Sequence, residues 1–183
     1  MAARKCLNGT CSREGGVFQN VEPPYRGTAP HSLFALIGFI GLCLLVGVVD
    51  GGISAGSVRA WYLSLIAPPA TPPSWLFAPV WTALHVMIGT AAWLVWREVG
   101  TAWPLRLWGW QLLANALWSP AFFGLRSPPL ALAVIAVLLV LIALTIRTFE
   151  RIDRRAAWLM LPYGVWVTYA AYLNVGFWWL NPS

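Results

Sequence analysis

Five apolar stretches follow one another after residue 31, and arginine, proline or glycine interrupts the chain between them. They cover residues 32–53, 79–97, 104–124, 129–148 and 157–180. Each is close to the roughly 20 residues that a helix needs to cross the hydrocarbon core of a bilayer. The pattern therefore predicts an all-α fold, an integral membrane bundle of five transmembrane helices that forms one domain over residues 32–183.

Residues 1–31 do not share this pattern. They are polar, contain glycine and proline, and carry the basic residues Arg4, Lys5, Arg13 and Arg26. A segment with so little apolar surface cannot offset the entropy lost on ordering. We expect a disordered basic tail, with an organelle transit peptide as the alternative.

Prolines mark two places in the predicted bundle. The longest break, residues 54–78, contains Pro68, Pro69, Pro72 and Pro73. Proline fixes its own backbone angle, so this loop should be stiff enough to act as a lid. Pro120 falls inside the third apolar stretch, where it removes a backbone donor and should bend or end the helix near Trp118.

Composition narrows the class of protein further. Of 183 residues, 59% are hydrophobic and only 10% are charged, which leaves too few charges to cover a soluble surface. The 13 tryptophans include several near predicted helix ends, where indole rings favour the boundary between hydrocarbon and headgroups. A multi-pass membrane protein in contact with lipid follows from both observations.

The basic residues predict an orientation. Ten of the 12 lysines and arginines fall on one side of the five-helix scheme, and only Arg59 and Arg126 fall on the other. This bias places the amino terminus in the cytoplasm. We expect a bacterial membrane, with an organelle outer membrane as the alternative. Membrane topology explains the net charge of +6, so we expect no nucleic-acid partner.

Aromatic and polar residues recur at helical spacing on three of the predicted helices. The stripes are Trp81, His85 and Gly89 on the second helix, Gln111, Asn115, Trp118 and Phe122 on the third, and Tyr163, Trp166, Ala170, Leu173 and Phe177 on the fifth. Together they would enclose a flat, mostly apolar macrocycle with a few polar groups at its edge. The spacing thus indicates a pocket for a flat, largely apolar ligand.

Polar residues within the predicted helices leave alternatives open. Asn115 either contacts ligand or, as we favour, bonds to another helix, since side-chain amides often bridge membrane helices. Asp50 closes the first apolar stretch and is most simply an interfacial residue. No cluster with metal-ligand spacing occurs, so we predict no metal site.

Several blocks of the sequence resemble the TspO/MBR family, the tryptophan-rich sensory proteins also called translocator proteins or peripheral-type benzodiazepine receptors. The similarity extends over roughly residues 33–181. It rests on WY at 61–62, PPSWLFAPVWTALH at 72–85, AAWLVWR at 91–97, QLLANALWSPAFFG at 111–124, AAWLMLPYGVWVTYAAYLN at 156–174 and a final LN at 180–181.

The resemblance implies a five-helix bundle, a homodimer, and binding of protoporphyrin IX or haem by a sensor or transporter involved in porphyrin homeostasis and stress response. No cofactor is obligatory. The residues implied in ligand binding are Trp81, His85, Asn115, Trp118, Phe122, Tyr163, Trp166, Ala170 and Leu173, and those in the lid are Trp61, Tyr62, Pro72, Pro73 and Trp75.

Two alternatives to a sensor or transporter remain. The first is an enzyme that degrades porphyrin in light and oxygen through Trp81 and Trp166. The helices hold no acid pair, nucleophile with a base, or metal cluster, so binding is favoured over catalysis. The second is a sterol or lipid carrier.

Several positions depart from the family's pattern. The family usually has lysine and tryptophan where this chain has Ala67 and Ala70, so the lid should hold acidic propionates less well. His85 is a candidate ligand for haem iron, although a lone histidine is a weak signal and the family usually has an aromatic residue at this position. The tyrosine and basic residue associated with cholesterol are also incomplete, because no lysine or arginine follows Tyr172. This departure disfavours sterol binding through that pattern.

Overall fold

The computed structural model describes residues 6–7, 10–11 and 29–181. Most of the expected tail, residues 1–31, lies outside the described residues, and its disorder stays a prediction. Two short strands belong to it, β1 (Cys6–Leu7) and β2 (Thr10–Cys11), which pair antiparallel.

Five helices make up the rest of the described chain. They are α1 (Ala29–Ala60), α2 (Phe77–Val99), α3 (Trp103–Ser119), α4 (Pro128–Glu150) and α5 (Arg154–Leu180). The all-α membrane bundle predicted from the five apolar stretches is confirmed. By length and composition, three segments are apolar enough to span a bilayer, with mean hydropathies of 2.7 for Ser32–Ser57, 1.4 for Ser74–Val99 and 3.0 for Pro128–Glu150.

Local signals set several helix ends. Proline occupies the first turn of α3 and of α4, where its missing N–H would have no helical partner. Gly100 follows α2 with a φ of +62°, a conformation that favours glycine and ends the helix. At the start of α5, the Asp153 carboxylate accepts a hydrogen bond from the Arg155 amide at 2.7 Å.

The first helix is longer than the sequence indicated. We placed its end near residue 53, but α1 continues through Gly51, Gly52 and Gly56 to Ala60. The loop between α1 and α2 is correspondingly shorter than residues 54–78. It contains two single turns of 3₁₀ helix, Tyr62–Ser64 and Ser74–Leu76.

The two prolines within helical segments behave differently. α3 ends at Ser119, and a turn of π-helix follows over Pro120–Gly124, in which the Leu125 amide donates to the Pro120 carbonyl at 2.8 Å. The expected change near Trp118 is therefore present as a widened turn. Pro162, by contrast, lies inside α5 without ending it.

The helices pack most extensively in the pairs α4 with α5, α1 with α2, and α3 with α4. Gly89 sets the distance between α1 and α2. A Cβ atom at that position would lie 2.7 Å from the Ile40 Cα and 2.9 Å from the Ile40 amide nitrogen. Close approach through a small residue is a common basis of helix packing in membranes.

Candidate functional site: an aromatic cavity between four helices

A cavity of about 440 Å³ lies between α1, α2, α3 and α5, beneath the loop that joins α1 to α2. Its volume falls within the range of roughly 300–1,000 Å³ that is common for sites that bind small molecules. The lining is mostly apolar, and aromatic rings from three helices and the loop contribute to it: Tyr62, Phe77, Trp81, Trp118, Phe122, Phe123 and Phe177.

Two of these rings form a stacked pair on the α3 side of the cavity. Trp118 and Phe122 have ring centroids 5.7 Å apart and an interplanar angle of 21°. Trp118 precedes the π-helical turn and Phe122 lies within it, so Pro120, where the turn begins, lies between them in the sequence. On α2, Trp81 lies 5.5 Å from the His85 ring. The walls thus present flat apolar surfaces from different helices.

Seven of the nine ligand-binding residues predicted from the sequence line this cavity. They are Trp81, His85, Asn115, Trp118, Phe122, Ala170 and Leu173. Tyr163 and Trp166 do not line it. Tyr163 is fully buried behind the wall, with its ring 6.2 Å from that of Trp81. Trp166 packs instead against Phe77, at 6.0 Å, and Tyr169.

Of the five predicted lid residues, only Tyr62 lines the cavity. Trp61 lies behind it and packs against Phe122, with ring centroids 5.7 Å apart. Pro72 and Pro73 are not among the lining residues, and Trp75 is 70% exposed. Burial raises the pKa of the Tyr62 phenol, and the charge of nearby Tyr169 raises it further, so Tyr62 is neutral at neutral pH.

The loop is fastened to α5 through its own backbone. The Tyr169 hydroxyl donates to the Ala70 carbonyl, and the Tyr172 hydroxyl donates to the Pro69 carbonyl at 3.2 Å. Asn181 bonds to both backbone groups of Ile66, accepting from its amide at 2.8 Å and donating to its carbonyl at 3.1 Å. These four bonds hold the loop over the cavity.

Asn115 combines the two roles that the sequence left open. Its amide nitrogen donates to the Tyr163 hydroxyl at 2.9 Å, which joins α3 to α5. The same residue lines the cavity. The favoured interhelical bond is therefore present, and it explains why Tyr163 lies beside the cavity rather than in its wall.

The imidazole of His85 has a defined tautomer. Its Nδ1 atom lies 2.8 Å from the Trp81 carbonyl oxygen, which can only accept, so Nδ1 carries the proton. In the neutral ring, Nε2 is then an acceptor, and it is buried without a partner among the described residues. Gly47 permits this arrangement, because a Cβ atom there would lie 3.0 Å from Nδ1.

The contribution of α1 to the cavity was missed in the sequence. Leu44, Gly47, Val48, Asp50, Gly51 and Ser54 all line it. Asp50, which the sequence suggested as an interfacial residue at a helix end, instead lines the cavity, and α1 continues for ten residues beyond it. The available signal was the spacing of Gly47, Asp50 and Ser54 by three and four residues, which places them on one helical face.

Ser54 and Ser119 tie this part of α1 to α3. Both hydroxyls donate to the Asp50 carbonyl oxygen, at 2.7 and 3.1 Å, and the two hydroxyl oxygens lie 2.9 Å apart. Nearby, the Ser57 hydroxyl donates to the Phe123 carbonyl at 2.6 Å. The α1 wall of the cavity is therefore held in place by hydrogen bonds to α3 and the π-turn.

Comparison with known proteins agrees with the arrangement of helices and cavity. Residues 39–180 match the model of the TspO/MBR family. The chain belongs to the TspO/MBR family. A tryptophan-rich protein TspO of Chlorobaculum tepidum is 40% identical over 150 residues, which cover 78% of this chain and 93% of that protein.

Relatives from other organisms share the same region. The translocator protein of Bos taurus is 33% identical, over 78% of this chain and 87% of its own length. Protein CrtK of Rhodobacter capsulatus is 32% identical, over 83% of this chain and 94% of its own length. Since this TspO/MBR protein aligns with nearly whole relatives, the match includes all four helices that line the cavity.

Proposed function

We propose that this TspO/MBR protein binds a tetrapyrrole, protoporphyrin IX or haem, in the aromatic cavity, and acts as a sensor or transporter in porphyrin homeostasis and stress response. The observation that supports this proposal is the cavity itself. It presents the Trp118–Phe122 stacked pair from α3 and the Trp81 indole from α2 in one space of about 440 Å³. No obligatory cofactor is required for binding.

A flat conjugated ligand suits these walls for two reasons. Aromatic faces in offset or tilted stacking contribute about 0.5–1.5 kcal/mol beyond the burial of their area. The loop above the cavity also contributes the Tyr62 side chain to the wall. The apolar body of a tetrapyrrole would lie among the indoles, with its acidic propionates directed towards the loop and water.

The test is a titration of the purified protein with protoporphyrin IX, followed by quenching of tryptophan fluorescence. We expect saturable quenching with one site per chain. Trp118→Ala removes one ring of the stacked pair and should weaken binding roughly tenfold. Trp158→Ala is the matched control, because Trp158 is 65% exposed on α5 and does not line the cavity. Equal affinities for the two variants, or a linear titration, would remove the proposal.

Porphyrin degradation in light is the second candidate, and Trp81 is the residue that supports it. Its indole lines the cavity, where it could donate an electron to a bound, photoexcited porphyrin. Trp166 lies one ring further out, behind Phe77. Illumination of the complex should therefore consume porphyrin more slowly in Trp81→Phe than in Trp166→Phe. Identical loss in both variants and in detergent alone would exclude this activity.

Sterol or lipid carriage is tested in the same titration. A sterol that occupies the cavity should displace porphyrin competitively, whereas one that binds the outer surface should not.

The arrangement in the cell is also proposed: a homodimer in a bacterial membrane, with an organelle outer membrane as the alternative, and with the amino terminus in the cytoplasm. The ratio of ten basic residues to two supports that orientation.

A further inference from the structure

A carboxylate without a partner lies in the wall of the cavity. Asp50 lies ten residues before the end of α1, inside the segment Ser32–Ser57 that is apolar enough to span a membrane. Its backbone carbonyl accepts two serine hydroxyls, but no described residue donates a hydrogen bond or contributes an ion pair to its side chain. The Oδ1 oxygen is buried.

An ionised group at this depth is costly unless something compensates it. Carboxylates within membrane helices are rare and normally face a cavity or pair with a cation. Asp50 faces a cavity, but the described residues that line this cavity include no cation to pair with its carboxylate. Among the described residues that line it, none is a lysine or an arginine. A ligand that carries a positive charge would supply the pairing that the cavity lining lacks.

Neighbouring groups in the lining also favour a ligand that donates hydrogen bonds. The Nε2 atom of His85 is an acceptor, because Nδ1 holds the proton, and it has no partner. The side-chain amide of Asn174 is 1% exposed, and neither its oxygen nor its nitrogen has a hydrogen-bond partner in the described part of the chain. A ligand that carries N–H groups would satisfy atoms that now lack a hydrogen bond, at the cost of small side-chain movements.

The aromatic walls suit a positive charge as well. The face of an indole ring attracts a cation through the ring's quadrupole, and this attraction is strongest where water is excluded. Trp81 and Trp118 both line the cavity that contains Asp50. The carboxylate, the acceptor atoms and the indole faces thus favour the same kind of ligand charge.

We infer that the cavity binds lipophilic organic cations: flat, largely apolar molecules with a protonated amine, which pairs with the Asp50 carboxylate. The apolar body lies against Trp81 and Trp118, and the amine lies at the α1 wall. This ligand class is distinct from the acidic tetrapyrroles proposed above and does not depend on their binding. Because the two ligands share one cavity, each should displace the other.

The experiment compares two probes of nearly the same shape. 9-Aminoacridine is protonated at pH 7.5, whereas acridine is mostly neutral. Each is titrated against the full chain in nanodiscs of zwitterionic lipid, so that anionic headgroups do not attract the cation. We expect one saturable site for 9-aminoacridine and affinity at least about tenfold weaker for acridine. Equal affinity for the two probes overturns the inference, and this comparison needs no variant.

Variants then assign the preference to one side chain. Asp50→Asn should weaken 9-aminoacridine binding at least about tenfold and leave acridine binding unchanged, while Asp50→Glu should retain the preference. Asp153→Asn is the matched control, because that carboxylate caps α5 outside the cavity. Unchanged 9-aminoacridine binding by Asp50→Asn would also overturn the inference.

Protoporphyrin IX separates this inference from the proposed function. Wild-type protein that binds 9-aminoacridine but not porphyrin would refute the tetrapyrrole proposal and leave the cation site standing. The reverse result would refute only the cation site.

Discussion

Gly89 offers a direct test of how α1 is positioned against α2. Replacing it by alanine adds a Cβ atom 2.7 Å from the Ile40 Cα, 2.9 Å from the Ile40 nitrogen and 3.0 Å from the Phe39 carbonyl carbon. Carbon atoms pack at about 3.5–4.0 Å, so the two helices would have to separate by close to 1 Å. The obstructing atoms belong to the backbone and cannot move aside as a side chain would.

The expected cost follows from two opposing effects. Overpacking of this kind typically destabilises a protein by about 1–3 kcal/mol. Alanine also favours helix over glycine by about 1 kcal/mol, which offsets part of that cost. Gly109→Ala provides the matched control, since Gly109 lies within α3 and a Cβ there would meet no atom within 4 Å. The control variant gains the same helix stability from alanine but introduces no steric clash.

We therefore expect Gly89→Ala to be less stable than Gly109→Ala by about 1–3 kcal/mol. The assay is unfolding in one detergent, followed by circular dichroism against added denaturing detergent. Because α1 carries Gly47, Asp50 and Ser54 into the cavity wall, ligand affinity should fall in Gly89→Ala as well. Equal stability of the two variants would show that α1 and α2 are not held at this distance.

Two further predictions concern hydrogen bonds that join separate parts of the bundle. Asn181→Ala removes both hydrogen bonds to Ile66, so hydrogen exchange of the Ile66 amide should accelerate. Exchange within α4 should stay unchanged. Unaltered exchange at Ile66 would contradict the role assigned to Asn181. Tyr163→Phe leaves the Asn115 amide without its acceptor and should destabilise the protein by about 1–3 kcal/mol. The double variant with Asn115→Leu should recover part of that loss, and strictly additive effects would argue against the bond.

The helices and most of the cavity were predictable because both depend on patterns within single segments. Apolar length identified the five helices, and spacing by three and four residues grouped Trp118 with Phe122 and Ala170 with Leu173. Helical periodicity gives the angles between residues of one helix, but the rotation of that helix depends on its neighbours. For this reason spacing alone did not separate Ala170, which lines the cavity, from Tyr163 and Trp166 on the same helix, which do not.

Asp50 shows a different limit of sequence reasoning. A charge after a long apolar run is typical of a helix end at the membrane surface, and the glycines that follow reinforce that interpretation. Yet glycine lowers helix stability by only about 1 kcal/mol, and packing against other parts of the bundle can outweigh it. The hydrogen bonds from Ser57 to Phe123 and from Ser119 to Asp50 are such contacts, and no pattern in the local sequence predicts them.

The position of the α1–α2 loop does not depend on the identities of the loop's own side chains. Tyr169, Tyr172 and Asn181 hold main-chain groups of Ile66, Pro69 and Ala70, and every residue type presents a carbonyl in the same way. Substitutions along the loop, such as alanines in place of a lysine and a tryptophan, can therefore accumulate during evolution without undocking it. Substitutions in the loop can thus change which molecules enter the cavity, while the loop stays attached to α5.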